Sequence, residues 1–300
     1  MPKFINPSNL PQPYFDAVVN DDYDAGDADY TPSSLNRPPY MAALFRQHDH
    51  EIEIDVADRF FALQGKMAHK LLELQEKGGA AIAELRVYTQ VGKWNIGMQF
   101  DRLHLDKKTF SLQDWKMTSV FKFKKDYKGN YPTVEEWEAQ LNIGAFILRQ
   151  GGYFYDKNGE KRQFKPVQID KLEIIGLLRD FRLADARRDK MYPQKPVVTR
   201  EIQLWDNDKV VKYIHDRAKA HDDAKNLALN LIPPCTMEEM WAKDTTYAVM
   251  KIGNVRALKA GFETENSALK HIESTKNLSL DTHMVEKRPG ARNRCQSYCD

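Results

Sequence analysis

The sequence predicts an α/β fold, a mixed central sheet flanked by helices, on three observations. A helix-spaced apolar series at 50–77 is followed by three β-rich stretches at 81–89, 93–105 and 109–119, joined by short turn-forming runs. A second helical pattern at 133–150 precedes a further apolar β stretch at 168–179. A hydrophobic content of 42% over 300 residues is enough for a sizeable core.

Taken in order, residues 1–34 are rich in Pro, Asp and Tyr without a sustained apolar period, which predicts an extended N-terminal arm. The acidic run "DDYDAGDAD" within it does not scan as a calcium loop. Counted from Asp22, Gly26 falls at position 5 and Ser33 at position 12, where a bidentate Glu belongs. Residues 35–300 are expected to form one domain, with 235–300 as a C-terminal cysteine-bearing region. Its first long helix places Phe60, Leu63, Met67, Leu71 and Leu74 at three- and four-residue spacings, and Gly78–Gly79 stop it. The three strands then read as an antiparallel meander. Beyond the 168–179 strand, helices are expected near 207–228 and 236–242.

A net charge of +2 from 45 basic and 43 acidic side chains excludes a polybasic protein, so any nucleic-acid contact must come from a local patch. No apolar run approaches bilayer length, and the N-terminus lacks the basic-then-apolar layout of a signal peptide, which predicts a cytoplasmic location and no membrane partner. Three cysteines, two of them at 295 and 299, do not make a disulfide framework and direct attention to metal or redox chemistry.

The stretch 112–119, "LQDWKMTS", sets Asp114 and Lys116 on one face of a strand, with Gln113 and Trp115 on the other. Alone, a D-x-K is a common tripeptide and reads as a surface ion pair. It has company. Asp101 lies on the preceding strand among Phe100, Leu103 and Leu105, where burial of a charge needs a reason. His69 sits on the preceding helix beside Met67, Leu71 and Leu72, with Gly65 one turn earlier open to close backbone approach. Singly, such a histidine or aspartate is more often structural. An imidazole on a helix, an aspartate on one strand and a D-x-K on the next are together the parts of a divalent-metal hydrolase. Carboxylate oxygens suit Mg2+ or Mn2+, and an imidazole favours Mn2+. A lysine fixed beside them can orient water or stabilise charge developing on a phosphate.

The motifs "GKMAH", "GMQFD", "DWK" and "QLNIGAF", in this order, resemble those of the RecB-type nucleases of the PD-(D/E)XK superfamily, above all phage-encoded and CRISPR-associated RecB-like exonucleases. The likeness extends over most of residues 30–300. It implies a restriction-endonuclease-like fold, with His69, Asp101, Asp114 and the main-chain carbonyl of Trp115 as ligands of Mg2+ or Mn2+ and Lys116 as the catalytic lysine. Gln140 matches the glutamine of a Q-x-x-x-Y element that lies near DNA, whereas Gly144 stands where the tyrosine is expected. It further implies a DNA exonuclease of phage recombination or DNA processing, acting on single-stranded or duplex ends beside a single-strand annealing or recombination protein. A structure-specific or nicking endonuclease, or a non-catalytic DNA-binding recombination subunit, stays open beside that reading.

Iron–sulfur members of the family hold a [4Fe–4S] cluster with four cysteines. Cys235, Cys295 and Cys299 would be three of these ligands; His283 or an external group could be a fourth, and three ordinary thiols are the alternative. For DNA contact, "FKFKKDYKGNYP" interleaves Lys122, Lys124, Lys125 and Lys128 with Phe121, Phe123, Tyr127 and Tyr131 directly after the D-x-K strand. A solvated lysine loop is the equal alternative. A second basic run, with Arg179, Arg182, Arg187 and Arg188, reads at least as well as a salt-bridged surface.

Overall fold

The computed structural model describes residues 2–20, 25–75, 81–106 and 109–299. Part of the acidic 22–33 run and the expected stop at Gly78–Gly79 lie outside them. The chain divides into two compact units, residues 1–37 with 42–228, and residues 38–41 with 229–300.

The chain begins with β1 (Lys3–Ile5), α1 (Gln12–Val19), α2 (Pro32–Asn36), α3 (Pro39–His48) and β2 (Glu53–Asp55). Residues 1–34 are therefore not an extended arm. β1 pairs in parallel with β2, and Thr31 and Ser34 close a capping box on α2. Turn chemistry and a long-range pairing partner overrode the weak local period.

Next come α4 (Phe60–Gln75), β3 (Ala81–Val91), β4 (Trp94–Asp106), β5 (Thr109–Thr118), α5 (Glu135–Gln150), β6 (Gly152–Tyr155), β7 (Lys161–Phe164), β8 (Lys171–Leu178), α6 (Leu183–Arg188), β9 (Val197–Ile202) and α7 (Asn207–Asn226). The seven strands form one mixed sheet in the order β7-β6-β3-β4-β5-β8-β9. The fold is α/β, as the alternation of elements predicts. β3, β4 and β5 are the expected antiparallel meander, while β5 and β8 run parallel, which requires a crossover between them. α5 lies in that crossover and is buried along Leu141, Ile143, Ile147 and Leu148, in one core with Met98, Phe100 and Leu112.

Two glycines set how closely this core closes. A Cβ on Gly144 would collide with Met98 Sδ and lie 3.0 Å from Leu112 Cδ2. A tyrosine would not fit at this position without displacing Met98 and Leu112. A Cβ on Gly176 in β8, opposite Lys116, would strike the fully buried Phe123 ring. Gly65, by contrast, faces open space, so the close approach expected of it is not realised.

The second unit contains a three-stranded antiparallel sheet in the order β12-β11-β13, after a short β10 (Ala242–Lys243). These strands are β11 (Thr246–Lys251), β12 (Ala257–Phe262) and β13 (His283–Arg288). α8 (Glu265–Ser274) packs Ala268 and Ile272 on Val249. β14 (Ala291–Arg292) pairs with β10 and leads into α9 (Asn293–Ser297). The helix expected at 236–242 is a single hydrogen-bonded turn, closed by Met240 N–H on Thr236 O at 2.9 Å and ended by Trp241 at φ +49°.

Candidate active site

Strand register builds the site. β3 and β4 set Ala83 opposite Arg102 and Leu85 opposite Phe100, so Glu84 and Asp101 face each other. β4 and β5 pair as far as Arg102 opposite Gln113, and one step further that register brings Asp101 to Asp114. Three carboxylates from three adjacent strands thus fall in one line across the sheet. Like charges directly opposite are destabilising, so the line needs compensation.

The backbone opens at this line. Glu84 has φ +51°, a left-handed conformation that a non-glycine residue adopts at some energetic cost. The Trp115 N–H donates to the Asp101 side chain on β4, to Oδ2 at 2.6 Å. From α4, His69 Nε2 donates to the Trp115 carbonyl at 3.1 Å, while Nδ1 lies 3.5 Å from Asp101 Oδ1 and 3.6 Å from Glu84 Oε1. Glu84 is held from its other side by Gln99 Nε2 at 2.8 Å.

Next to Trp115 in β5, Asp114 is only 1% exposed. Its Oδ1 accepts from Lys116 Nζ and from Gln140 Nε2, both at 2.9 Å, and Gln140 Oε1 in turn accepts from Lys116 at 3.3 Å. Oδ2 sits 2.7 Å from the same ammonium as an ion pair, yet it is a buried acceptor without a hydrogen bond of its own. Alternation along β5 and one turn of α5 therefore lock the carboxylate, the ammonium and the amide into a triangle.

The electrostatics follow from this crowding. Burial pushes the Asp101 carboxyl up to about 7, with the charge of Asp114 adding to it. The His69 imidazole is raised by its contact with Glu84, against the opposing effect of burial, with Asp101 also raising it. Burial alone would raise Glu84, but His69 and Gln99 outweigh it and hold the carboxyl below its usual range. For Lys116 burial works downward, and Asp114 and Asp101 more than reverse it, so the side chain stays an ammonium.

His69, Glu84 and Asp101 each offer a ligand atom, all within 4.8 Å of one another, the one such group among the described residues. The sequence-based set of His69, Asp101, Asp114 and Trp115 is thus brought to one place, but Asp114 stands outside that tight group and Glu84 stands inside it. Glu84 is the residue that sequence reasoning missed, and a signal for it existed. The "VGKW" turn fixes Val91 opposite Trp94, and an equal count back and forward along the two strands reaches Glu84 and Asp101. Carboxylates, an imidazole and a carbonyl suit a hard divalent cation.

The lysine-rich stretch is partly spent on the fold. Lys124 pairs with Asp189 at 2.7 Å, while Lys125 and Lys128 lie over the rings of Tyr131 and Tyr127. Phe123 is buried, and Tyr131 packs against the core. Lys122, on the turn after β5, has no such partner among the described residues. In the second unit, Cys235, Cys295 and Cys299 form no disulfide. Burial raises Cys235, and the charges of Glu239, Cys295 and Cys299 add to the shift. His283 is engaged through Nδ1, which lies 2.9 Å from the Thr282 hydroxyl and 3.4 Å from Ser279 N.

No protein-family model matches this chain, and no curated protein does. Among solved structures, it is similar to one titled "Crystal structure of SSO0001", at 14% identity and a TM-score of 0.42, over 69% of this chain and 81% of that one.

Proposed function

We propose that this chain is a divalent-metal-dependent DNA nuclease of the RecB-like PD-(D/E)XK type, acting as an exonuclease. The observation that carries the reading is the meeting of His69, Glu84 and Asp101 with Asp114, Lys116 and Gln140 where three adjacent strands line up. A surface ion pair needs none of that company. His69, Asp101, Asp114 and the Trp115 carbonyl would hold Mg2+ or Mn2+, with Glu84 beside them, and such an ion supplies a more acidic water and neutralises phosphate charge.

The chain's own residues do the rest. Hydrolysis forms one P–O bond from water and breaks another, leaving one phosphate end and one hydroxyl end. Lys116 enters as an ammonium, so its part is to orient the water or stabilise charge on the phosphate, not to remove a proton. Gln140 holds Asp114 and Lys116 in register and prevents the carboxylate from rotating away.

The test is end-labelled linear single- and double-stranded DNA beside closed circles, with Mg2+, Mn2+ or EDTA. Metal-dependent loss of label from linear DNA alone is expected. Cleaved circles would favour the endonuclease reading, and EDTA-resistant cleavage would sink the metal reading. Asp114→Asn should abolish cleavage while retaining DNA binding, and Lys116→Ala should lower turnover by roughly a hundredfold or more. Full activity in a folded Lys116→Ala protein contradicts the assignment. An intact nuclease site without turnover would point instead to a DNA-binding recombination subunit.

Cys235, Cys295 and Cys299 are proposed as three ligands of a [4Fe–4S] cluster, with His283 through its Nε2 or an external group as the fourth. Protein purified without oxygen should then be brown and contain iron. Colourless anaerobic protein without iron refutes it.

A further inference from the structure

We propose that Phe61, with the Arg179 guanidinium over its ring, and Phe121 form a base-stacking platform that receives an unpaired DNA strand and leads it to Asp114 and Lys116. The inference deepens the nuclease reading and rests on it. Arg179 Cζ lies 3.9 Å from the Phe61 ring centroid. Phe61 is nevertheless 54% exposed and Phe121 is 70% exposed. Large rings held at a surface beside a cation are what a chain of stacked bases and phosphates requires.

Both rings belong to the end of the sheet where β5 leaves the site. Thr118 O accepts from Arg179 N–H at 3.0 Å, and Val120 N–H donates to Asp180 Oδ1 at 2.7 Å, so Phe121 begins just beyond that junction. Thr118 is two residues past Lys116, roughly 7 Å along the strand. Phe61 is eight residues ahead of His69 on α4, roughly 12 Å along the helix. At about 3.4 Å per stacked nucleotide, the platform stands roughly two to four nucleotides from the candidate ligands.

Charge identifies the occupant. With the Asp180 carboxylate turned to Val120, Arg179 has no carboxylate partner among the described residues, so its N–H edge is open to a phosphate. Lys122 adds a second cation on the turn that carries Phe121. An aliphatic docking partner would need neither charge. Duplex DNA presents its bases edge-on in the grooves, whereas an unpaired strand offers their faces to a ring.

The test uses the Asp114→Asn protein with Mg2+, which binds without cutting on the nuclease reading, and a single strand carrying 2-aminopurine near its end. Fluorescence titration should give about tenfold weaker single-strand binding for added Phe61→Leu or Phe121→Leu. Phe61→Tyr should retain affinity, and a blunt duplex should bind all variants equally. Leucine keeps apolar bulk at an exposed position, and an unchanged circular dichroism spectrum checks the fold. Equal single-strand affinity with and without Phe61→Leu overturns the platform and leaves the nuclease reading standing. Equal loss on single strand and duplex also overturns it, because the ring is then not reading base faces. A parent protein that binds no DNA overturns both.

Discussion

His69 is held by three partners that want different things from it. Its Nε2 donates to the Trp115 carbonyl, which leaves Nδ1 facing two carboxylates that favour an imidazolium. Glu84 is the largest cause of the raised His69 pKa. In metal-free protein, the ring should therefore titrate above the usual 6.5, and Glu84→Gln should bring its midpoint down. The sign for stability follows: the gain from charged His69 is present below about 6.5 and is lost as pH rises through its folded-state value. Ring proton shifts followed by NMR check this, and an unchanged midpoint in Glu84→Gln would remove Glu84 from the site. Asp101, Asp114 and Lys116 were legible in the sequence because residue type and strand alternation suffice to find them. Glu84 needed the hairpin register as well, since a lone glutamate in "AIAELRVY" carries no motif.

At the scale of elements, periodicity located β3, β4, β5, α5, β8 and α7 with modest shifts at their ends, whereas the helix expected from about 50 begins only at Phe60, with β2 (Glu53–Asp55) lying where its first turns were expected. It did not locate β6, β7 and β9, which add four to six residues each at the sheet edges. Such short strands are defined by their pairing partners rather than by their own period. The apolar stripe of α4 was found, but its expected core role was not: Phe60, Met67, Leu71 and Leu74 are exposed, and the opposite face of the helix turns His69 to the sheet. Beside Lys116, Gly176 marks where β8 admits the Phe123 ring against the sheet. Gly176→Ala should force that buried ring aside and destabilise the fold by about 1–3 kcal/mol, the usual range for overpacking. A urea midpoint equal to wild type would mean that Phe123 relaxes without loss. The ring ends the turn that carries Phe121, so weakened single-strand binding is expected together with the lower midpoint.

Across the first unit, α7 ties the N-terminal segment to the β3–β4 turn. Asp222 accepts from the Tyr30 hydroxyl at 2.7 Å and from Trp94 Nε1 at 2.8 Å, and Lys93 pairs with it at 2.8 Å. Arg217 Nε donates to the Leu35 carbonyl at 2.8 Å. None of these partners lies close in sequence, so no local pattern announced them. Next to Asp222, His221 is 3% exposed with its Nε2 unpartnered, and its ring packs on Tyr30 at a centroid distance of 5.6 Å. Burial, reinforced by the positive charge of Arg217, lowers its pKa to about 4. The unfolded chain then takes up a proton near 6.5 that the folded chain refuses until about 4. The stability contributed by neutral His221 is fully present above 6.5 and is lost as pH falls towards 4, by up to about 3 kcal/mol. Asp101 acts with the opposite sign, because its raised pKa favours the folded state as pH falls from about 7, so wild type alone would give a mixed slope. His221→Phe removes the titration and keeps a ring against Tyr30. The difference between variant and wild-type urea midpoints should therefore grow in the variant's favour from pH 7 to pH 4, with the Asp101 contribution cancelling. A difference that stays constant over that range would show that His221 takes up its proton in the fold as readily as in the unfolded chain.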